Sequence, residues 1–370
     1  MNRVLGVATL GLAVAVAGAI HASNAGVSPV IGAQTSAMPS LAPILKRITP
    51  TVVTIVAKSD ANQETNSLPN KRRDTQRDLD VAGRPAERQT HSVGSGVVYD
   101  ASRGLIITNN HVIDHAGEIT VTLADGRDLR ATRVGGDLDT DVAVVKVHPD
   151  NLTAIGLGDS DRLEVGDFVL AIGDPFHIGQ TVTTGIVSGL HRSKVGIQRY
   201  EDFIQTDAAI YPGNSGGALV DLLGDLVSIN TAFIGTNRST PVIGLAIPIN
   251  MARGVADQIV EYGEVRRGNI GLTIDDPTPG LIREVKRSTP QPRAVITKVD
   301  PESPAARAGL KPGDLVTELA GAPMRDASDL RNRLGLLRVG EVAAITVVRN
   351  GETITFRPTV AVRQRGGTSK

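Results

Sequence analysis

The sequence predicts a mostly β protein whose main part is a sandwich or barrel, with a second unit behind it. Between Ser92 and about Ile249, short apolar segments alternate with Gly, Asp and Asn turns, as at 95–99, 119–123 and 226–229. Turn signals at that frequency belong to all-β folds. The 40 Gly residues, beside many Val and Ile, supply the turns and the strands. A length of 370 residues leaves room for two domains and a leader. Hydrophobic content of 41% suffices for buried cores, and 2% aromatics with no Trp make those cores aliphatic. A formal charge of zero gives no argument for a nucleic-acid partner. With no Cys, a thiol nucleophile, a Cys-ligated metal and disulfides are excluded.

In chain order, Met1-Asn2-Arg3 is a short basic start, and residues 4–20 are uncharged and rich in Ala, Val, Leu and Gly. Ser23-Asn24-Ala25 then places small residues where a signal peptidase reads, so residues 1–25 are expected to be a secretory signal peptide. The other reading is an uncleaved membrane anchor, for which the apolar run is marginally long. Either one places the folded part outside the cytoplasm. Residues 26–40, small and polar with Pro29 and Pro39, read as a tether. Residues 41–48 predict a short amphipathic helix with Pro43 in its first turn, and 51–56 a β-branched strand. The stretch 59–91 carries Lys71-Arg72-Arg73-Asp74 and Glu87-Arg88 with few apolar residues, a composition expected of a mobile loop. Residues 251–260 predict an amphipathic helix with Asn250 as N-cap and Gly263 closing it.

The chemistry centres on Gly213-Asn214-Ser215-Gly216-Gly217. Glycines on both sides let the backbone turn tightly and expose the Ser215 hydroxyl beside backbone N–H groups. An acyl-transfer nucleophile needs that geometry. Upstream, His111 ends the apolar run Ile106-Ile107-Thr108-Asn109-Asn110, and Asp141 precedes Val142-Ala143-Val144-Val145. The order His, Asp, Ser is that of chymotrypsin and not that of subtilisin or the α/β-hydrolases. No strand-to-helix switch flanks the serine, so the Gly-x-Ser-x-Gly elbow reading fails on context. Asp139 is the rival for the aspartate role, but Asp141 directly abuts the strand. His111 and His115 stand four apart without a Glu after His111, so the zincin pattern is not met and no metal is expected. His91, His148, His177 and His191 are isolated and read as solvated.

Thr108-Asn109-Asn110-His111-Val112, Asp141-Val142-Ala143-Val144 and Gly213-Asn214-Ser215-Gly216-Gly217-Ala218-Leu219 resemble the three catalytic blocks of the HtrA serine proteases. Connecting segments at 165–173, 184–188, 203–208 and 244–248 fit as well. The resemblance implies a chymotrypsin-like double β-barrel protease domain over 41–263, with two six-stranded barrels and the catalytic residues between them. It implies His111, Asp141 and Ser215 as the triad, and Gly213, Asn214 and Ser215 as the oxyanion hole. No cofactor is implied. The position six before the serine is Ala209, followed by Ile210. No charge is available there, so the expected pocket accepts small or medium aliphatic side chains, which are exposed in unfolded or damaged chains. A periplasmic location and a homotrimer, or a multiple of trimers, follow from the same resemblance. The family's variable first loop falls on 59–91. Asp174 and His177 stand where the family more often has Asn and Gly.

Asn269-Ile270-Gly271-Leu272 resembles the carboxylate loop of PDZ domains, and residues 303–315 resemble their long signature stretch. One PDZ domain over 266–365 is therefore expected, with 326–337 as the helix lining its groove. Successive N–H groups of such a loop cup the C-terminal carboxylate of a peptide that adds as a strand to the sheet edge. Regulation by peptide C-termini is implied. A single PDZ unit is the arrangement of the membrane-anchored, peptide-gated signalling branch of the family. That branch, and a non-catalytic chaperone or PDZ binding module, are the alternative readings.

Overall fold

The computed structural model describes residues 40–59, 91–174, 179–234, 243–284 and 293–362. The leader, the tether up to residue 39, the loop segment 60–90 and His177 lie outside the described residues. No helix among the described residues is long and apolar enough to cross a membrane.

Helix α1 spans Ala42–Ile48, with a proline in its first turn and Lys46 and Arg47 in its last. The next strand starts one residue later than expected. Residues Thr49–Thr51 form a single 3-10 turn, closed where Thr51 Oγ1 donates to the Ile48 carbonyl at 2.7 Å. Six strands then close a barrel: β1 (Val52–Ser59), β2 (His91–Asp100), β3 (Leu105–Asn109), β4 (Ala116–Thr122), β5 (Asp128–Asp137) and β6 (Val142–Lys146), in the order β1-β2-β3-β6-β5-β4. A one-turn helix, α2 (Asn110–Ile113), follows β3. Successive side chains on a strand point to opposite faces, and on β3 and β6 both faces are buried. Along β6, Ala143 and Val145 fill the barrel, while Val142 and Val144 join the core shared with the rest of the protease. This is why the strand reads as a continuous apolar run.

The second barrel uses β8 (Phe168–Gly173), β9 (Thr181–Arg192), β10 (Phe203–Thr206), β11 (Ala218–Val220), β12 (Asp225–Ile234) and β13 (Ile243–Pro248). They run β11-β8-β9-β10-β13-β12, and a β11–β12 pairing closes the ring. The short β7 (Gly156–Leu157) adds in parallel to β12 outside it. Alternation repeats: Val169 and Ala171 face one core, Leu170 and Ile172 the shared one. Helix α3 (Ile249–Tyr262) lays Ala252, Val255, Ala256 and Ile259 on that shared core. Each fully buried Val or Ile contributes about 1.5–3 kcal/mol, so Ile259→Ala is expected to cost several kcal/mol (~2–5). The helix begins two residues before the expected start, with Pro248 at the N-cap. Asn250 is already inside it, its side chain donating to Asp159 Oδ1 at 2.7 Å. Gly263 ends the helix at φ 77°, its N–H donating to the Ile259 carbonyl.

Beyond it, β15 (Leu272–Asp275), β16 (Ala294–Val299), β17 (Leu315–Leu319), β19 (Ile345–Arg349) and β20 (Glu352–Phe356) form one sheet. β14 (Gly268–Asn269) pairs with β21 (Ala361–Val362), and β18 (Ala322–Pro323) with β17. Three helices accompany them: α4 (Pro279–Glu284), α5 (Pro304–Ala308) and α6 (Ala327–Leu336). Asp326 caps α6 by accepting the Asp329 N–H at 2.7 Å, which satisfies one orphan donor of the first turn. Leu330 and Leu334 of α6 pack on Ile274, Ile296, Val316 and Ile345.

Candidate active site

His111 is carried by α2, directly after β3, and Asp141 stands at the turn entering β6, which pairs with β3. The turn has a left-handed residue: Asp141 has φ 61°, a conformation that Asp tolerates better than most side chains. It brings both carboxylate oxygens to the helix. Oδ1 accepts the His111 backbone N–H at 2.9 Å and Oδ2 lies 2.7 Å from His111 Nδ1. The Asp141 carbonyl also accepts Asn110 N–H at 3.1 Å and Asn109 Nδ2 at 3.0 Å. Asp141 is buried, whereas the His111 side chain is half exposed (3% and 50%), so the carboxylate positions a ring that substrate can still reach. Asp139, the rival, makes no hydrogen bond or ion pair with His111 among the described residues; its carbonyl accepts the Tyr200 N–H at 3.0 Å.

Ser215 comes from the second barrel, four residues past Tyr211 and just before β11. Gly213 and Gly216 both have positive φ, 98° and 82°. A Cβ on Gly216 would lie 2.2 Å from the Ser95 carbonyl and 2.4 Å from Thr108 Oγ1, so only glycine lets this turn meet the first barrel. Ser95 of β2 stitches the two together: its N–H donates to the Ser215 carbonyl at 2.8 Å, and its Oγ to the Gly213 carbonyl at 2.6 Å. Among the described residues, the N–H groups of Gly213 and Ser215 have no acceptor. Asn214 is fully buried between them, and its side-chain amide has no partner among the described residues.

Thr231 was not legible in the sequence. It lies where the β12–β13 register shifts between Asn230 and Ala232, a bulge that re-aims a side chain. Its Oγ1 donates to Asp141 Oδ2 at 2.9 Å, and its carbonyl accepts the Ser215 hydroxyl at 3.1 Å. One residue therefore touches both Asp141 and Ser215. The Ser215 hydroxyl is thus engaged by the Thr231 carbonyl, and His111 Nε2 makes no hydrogen bond among the described residues. Catalytic contacts of this kind often form only with substrate bound.

Ile210 is buried in the second barrel, with Ile204 and Leu219, while Ala209 keeps partial exposure and its carbonyl accepts Thr183 Oγ1 at 2.8 Å. Asp174 is buried; its Oδ2 accepts Thr54 Oγ1 at 2.6 Å. In the C-terminal part, Asn269, Ile270 and Leu272 line a cavity of about 450 Å³ with Leu334 of α6. The Gly271 N–H is engaged by Asn269 Oδ1 at 2.9 Å, so within this loop one expected donor is already used internally. His191 is not isolated: Asp202 and Arg325 hold it. Its partners lie 11 and 134 residues away in sequence, which is why it looked solvated. No cluster of His, Asp and Glu able to hold a metal occurs among the described residues.

Two barrels with a serine, a histidine and an aspartate at their junction, followed by a groove between a sheet and a helix, define a trypsin-like serine endopeptidase joined to a PDZ domain. Family models agree: a trypsin-like peptidase domain matches residues 94–229 and a PDZ domain residues 268–360. The chain is 41% identical over 339 residues to the periplasmic serine endoprotease DegP of Salmonella typhimurium, covering 86% of this chain and 71% of the relative. It is 39% identical over 352 residues to the periplasmic pH-dependent serine endoprotease DegQ of Escherichia coli K12, covering 94% and 76%. Among solved structures, the HtrA-type protease AlgW with a tripeptide superposes with a TM-score of 0.69 at 38% identity, covering 88% of this chain and 98% of that one. The chain belongs to the HtrA family of serine endoproteases.

Proposed function

We propose that this endopeptidase degrades unfolded or damaged proteins in the periplasm through an acyl-enzyme intermediate, and that peptides bound to its PDZ domain regulate it. His111 takes the Ser215 proton as the hydroxyl attacks a peptide carbonyl, then returns it to the leaving amine. Asp141 fixes the tautomer with Nδ1–H and stabilises the imidazolium. The amides of Gly213 and Ser215 receive the oxyanion, Asn214 shaping the turn between them. Loss of one such donor typically costs about 10²–10³ in rate. Ala209 and Ile210 set an aliphatic preference, residues 1–25 direct secretion, and the assembly is a trimer or a multiple of it. The observation that carries the reading is the double grip of Asp141 on His111, at 2.9 Å and 2.7 Å, within one residue, Thr231, of Ser215.

A peptide-gated signalling protease is the second reading. The observation favouring it is the Ser215 hydroxyl directed at the Thr231 carbonyl, an arrangement that a bound peptide would have to change. β-Casein breakdown by the parent chain and by Ser215→Ala, with and without C-terminal peptides, tests both. Breakdown without peptide, absent in the variant, supports general degradation. Breakdown only with peptide supports the gated enzyme. Equal breakdown by the two proteins would overturn the assignment of Ser215.

A further inference from the structure

We infer that the PDZ groove selects C-termini carrying a carboxylate side chain one or two residues before the last, and that the protease domain supplies one of the two guanidinium groups that read it. The inference rests on the peptide-binding role proposed above. The groove has an apolar floor from Ile270, Leu272 and Leu334, flanked by Arg331 of α6 and by Arg199 of the β9–β10 connection. Both arginines are exposed, and neither is ion-paired or hydrogen-bonded among the described residues. Asp300, the carboxylate on the same lining, is engaged by Lys298 at 2.9 Å. Arg331 interacts with Asp276 only through longer-range charge, and Asp276 is ion-paired to Lys194. A net positive charge therefore faces whatever binds.

The protease-borne arginine sits on a built support. The Glu201 carboxylate accepts the N–H groups of Val195, Ile197 and Gln198 at 2.6, 2.7 and 2.9 Å, which fixes the connection on either side of Arg199. Asn332 of α6 donates to the Glu201 carbonyl at 2.8 Å. The Tyr200 ring lies beneath the Arg267 guanidinium, 4.3 Å from its centroid, and against Gly335, where a Cβ would meet it at 2.7 Å. Side-chain absence at Gly335 is what lets the protease wall close on the helix.

The spacing sets the position read. Arg331 precedes Leu334 and Gly335 by three and four residues, about 5 Å along the helix axis. An extended peptide rises about 3.3 Å per residue, so Arg331 stands beside the second or third residue from the end. A carboxylate there forms charge-assisted, bidentate pairs with guanidinium groups. A neutral or basic side chain would leave them without a partner under the peptide.

The test is fluorescence anisotropy of short labelled peptides on the full chain carrying Ser215→Ala, which prevents cleavage. The peptides share an apolar last residue and carry Glu, Gln or Lys at the two preceding positions; a C-terminally amidated Glu peptide is the control. Expected is roughly fivefold tighter binding of Glu than Gln at low salt, weaker binding still of Lys, and a preference that shrinks at high salt. Arg331→Gln and Arg199→Gln should each remove part of it. Equal affinity for the Glu and Gln peptides overturns the inference while leaving peptide binding intact. An unchanged preference in Arg199→Gln overturns the protease contribution. If the amidated peptide binds as well as the free acid, or no peptide binds, the peptide-binding role itself falls and the inference with it.

Discussion

Two junctions of this molecule are each built on a histidine–aspartate pair, and they do different things. Between the barrels, His111 Nδ1 meets Asp141 at 2.7 Å. Between the second barrel and the PDZ domain, His191 Nδ1 meets Asp202 at 3.0 Å. The third group decides the outcome. At the first junction that group is Thr231, which binds the carboxylate and leaves His111 Nε2 available. At the second it is Arg325, whose Nη1 donates to His191 Nε2 at 2.7 Å and whose Nη2 donates to Asp202 Oδ2 at 3.1 Å. Arg325 Nη2 also donates to Asp329 Oδ1 at 2.7 Å. An imidazole accepting at Nε2 and donating at Nδ1 has both nitrogens in use and no site for substrate. The same pair suits the acid–base role proposed for it in one place and a bracing role in the other.

The largest expected effect breaks the pair between the barrels. Asp141→Asn should lower kcat by roughly 10⁴, because the ring loses the tautomer that presents Nε2 as a base. Asp202→Asn should leave kcat for a small peptide substrate near that of the parent. Comparable losses in both variants would erase the distinction. Next is Thr231→Val, which removes a donor to a buried carboxylate. A hydrogen bond to a charged group is worth about 1.5–3 kcal/mol, so kcat should fall at least tenfold or so with KM little changed. An increase in KM alone would make Thr231 a substrate contact instead.

The difference also explains what could be read from sequence. His111, Asp141 and Ser215 could be nominated from sequence because each sits in a local pattern, an apolar strand meeting a polar turn or a glycine-bracketed serine. The barrels were legible because Val and Ile runs separated by turns have few other folds open to them, and the resemblance to HtrA proteases gave their number. Thr231 was not, since its orientation comes from a register shift against β13 that no residue type announces. His191 was not, because Asp202 reaches it through the β9–β10 pairing and Arg325 comes from the PDZ domain, 134 residues away in sequence. Asn250 misled for a related reason: it has the composition of an N-cap, but Asp159 offers its amide a partner inside the helix.

Breaking the second pair should act on the junction instead of the chemistry. Arg325→Ala leaves Asp202 and the buried Asp329 with fewer donors, although Arg333 still donates to Asp329 at 2.8 Å. For a partly exposed network about 1–2 kcal/mol is expected, read as roughly tenfold faster amide hydrogen exchange in 193–202 and 326–336. Unchanged exchange there, or faster exchange confined to the barrels, would show that Arg325 braces nothing.

The smallest effect is a pH dependence at the edge of the same junction. Lys194, three residues past His191 at the start of the β9–β10 connection, is ion-paired to Asp276 of the PDZ domain. Burial alone would raise the Asp276 carboxyl, but the Lys194 hydrogen bond, the Ala327 amide and nearby positive charge outweigh it and hold the group below the usual carboxylate range. A carboxylate depressed in the folded state contributes stability above its unfolded value and loses it as pH falls through the folded one. The pair should therefore be fully present at neutral pH and lost on acidification below about 4. Both side chains are more than a third exposed, 63% and 40%, so solvent screening keeps the contribution under ~1 kcal/mol. Urea unfolding of the parent and of Lys194→Met should differ slightly at neutral pH and converge in acid. A gap that widened on acidification would mean that Lys194 acts on some other group, and that the edge of the junction is held by contacts other than this pair.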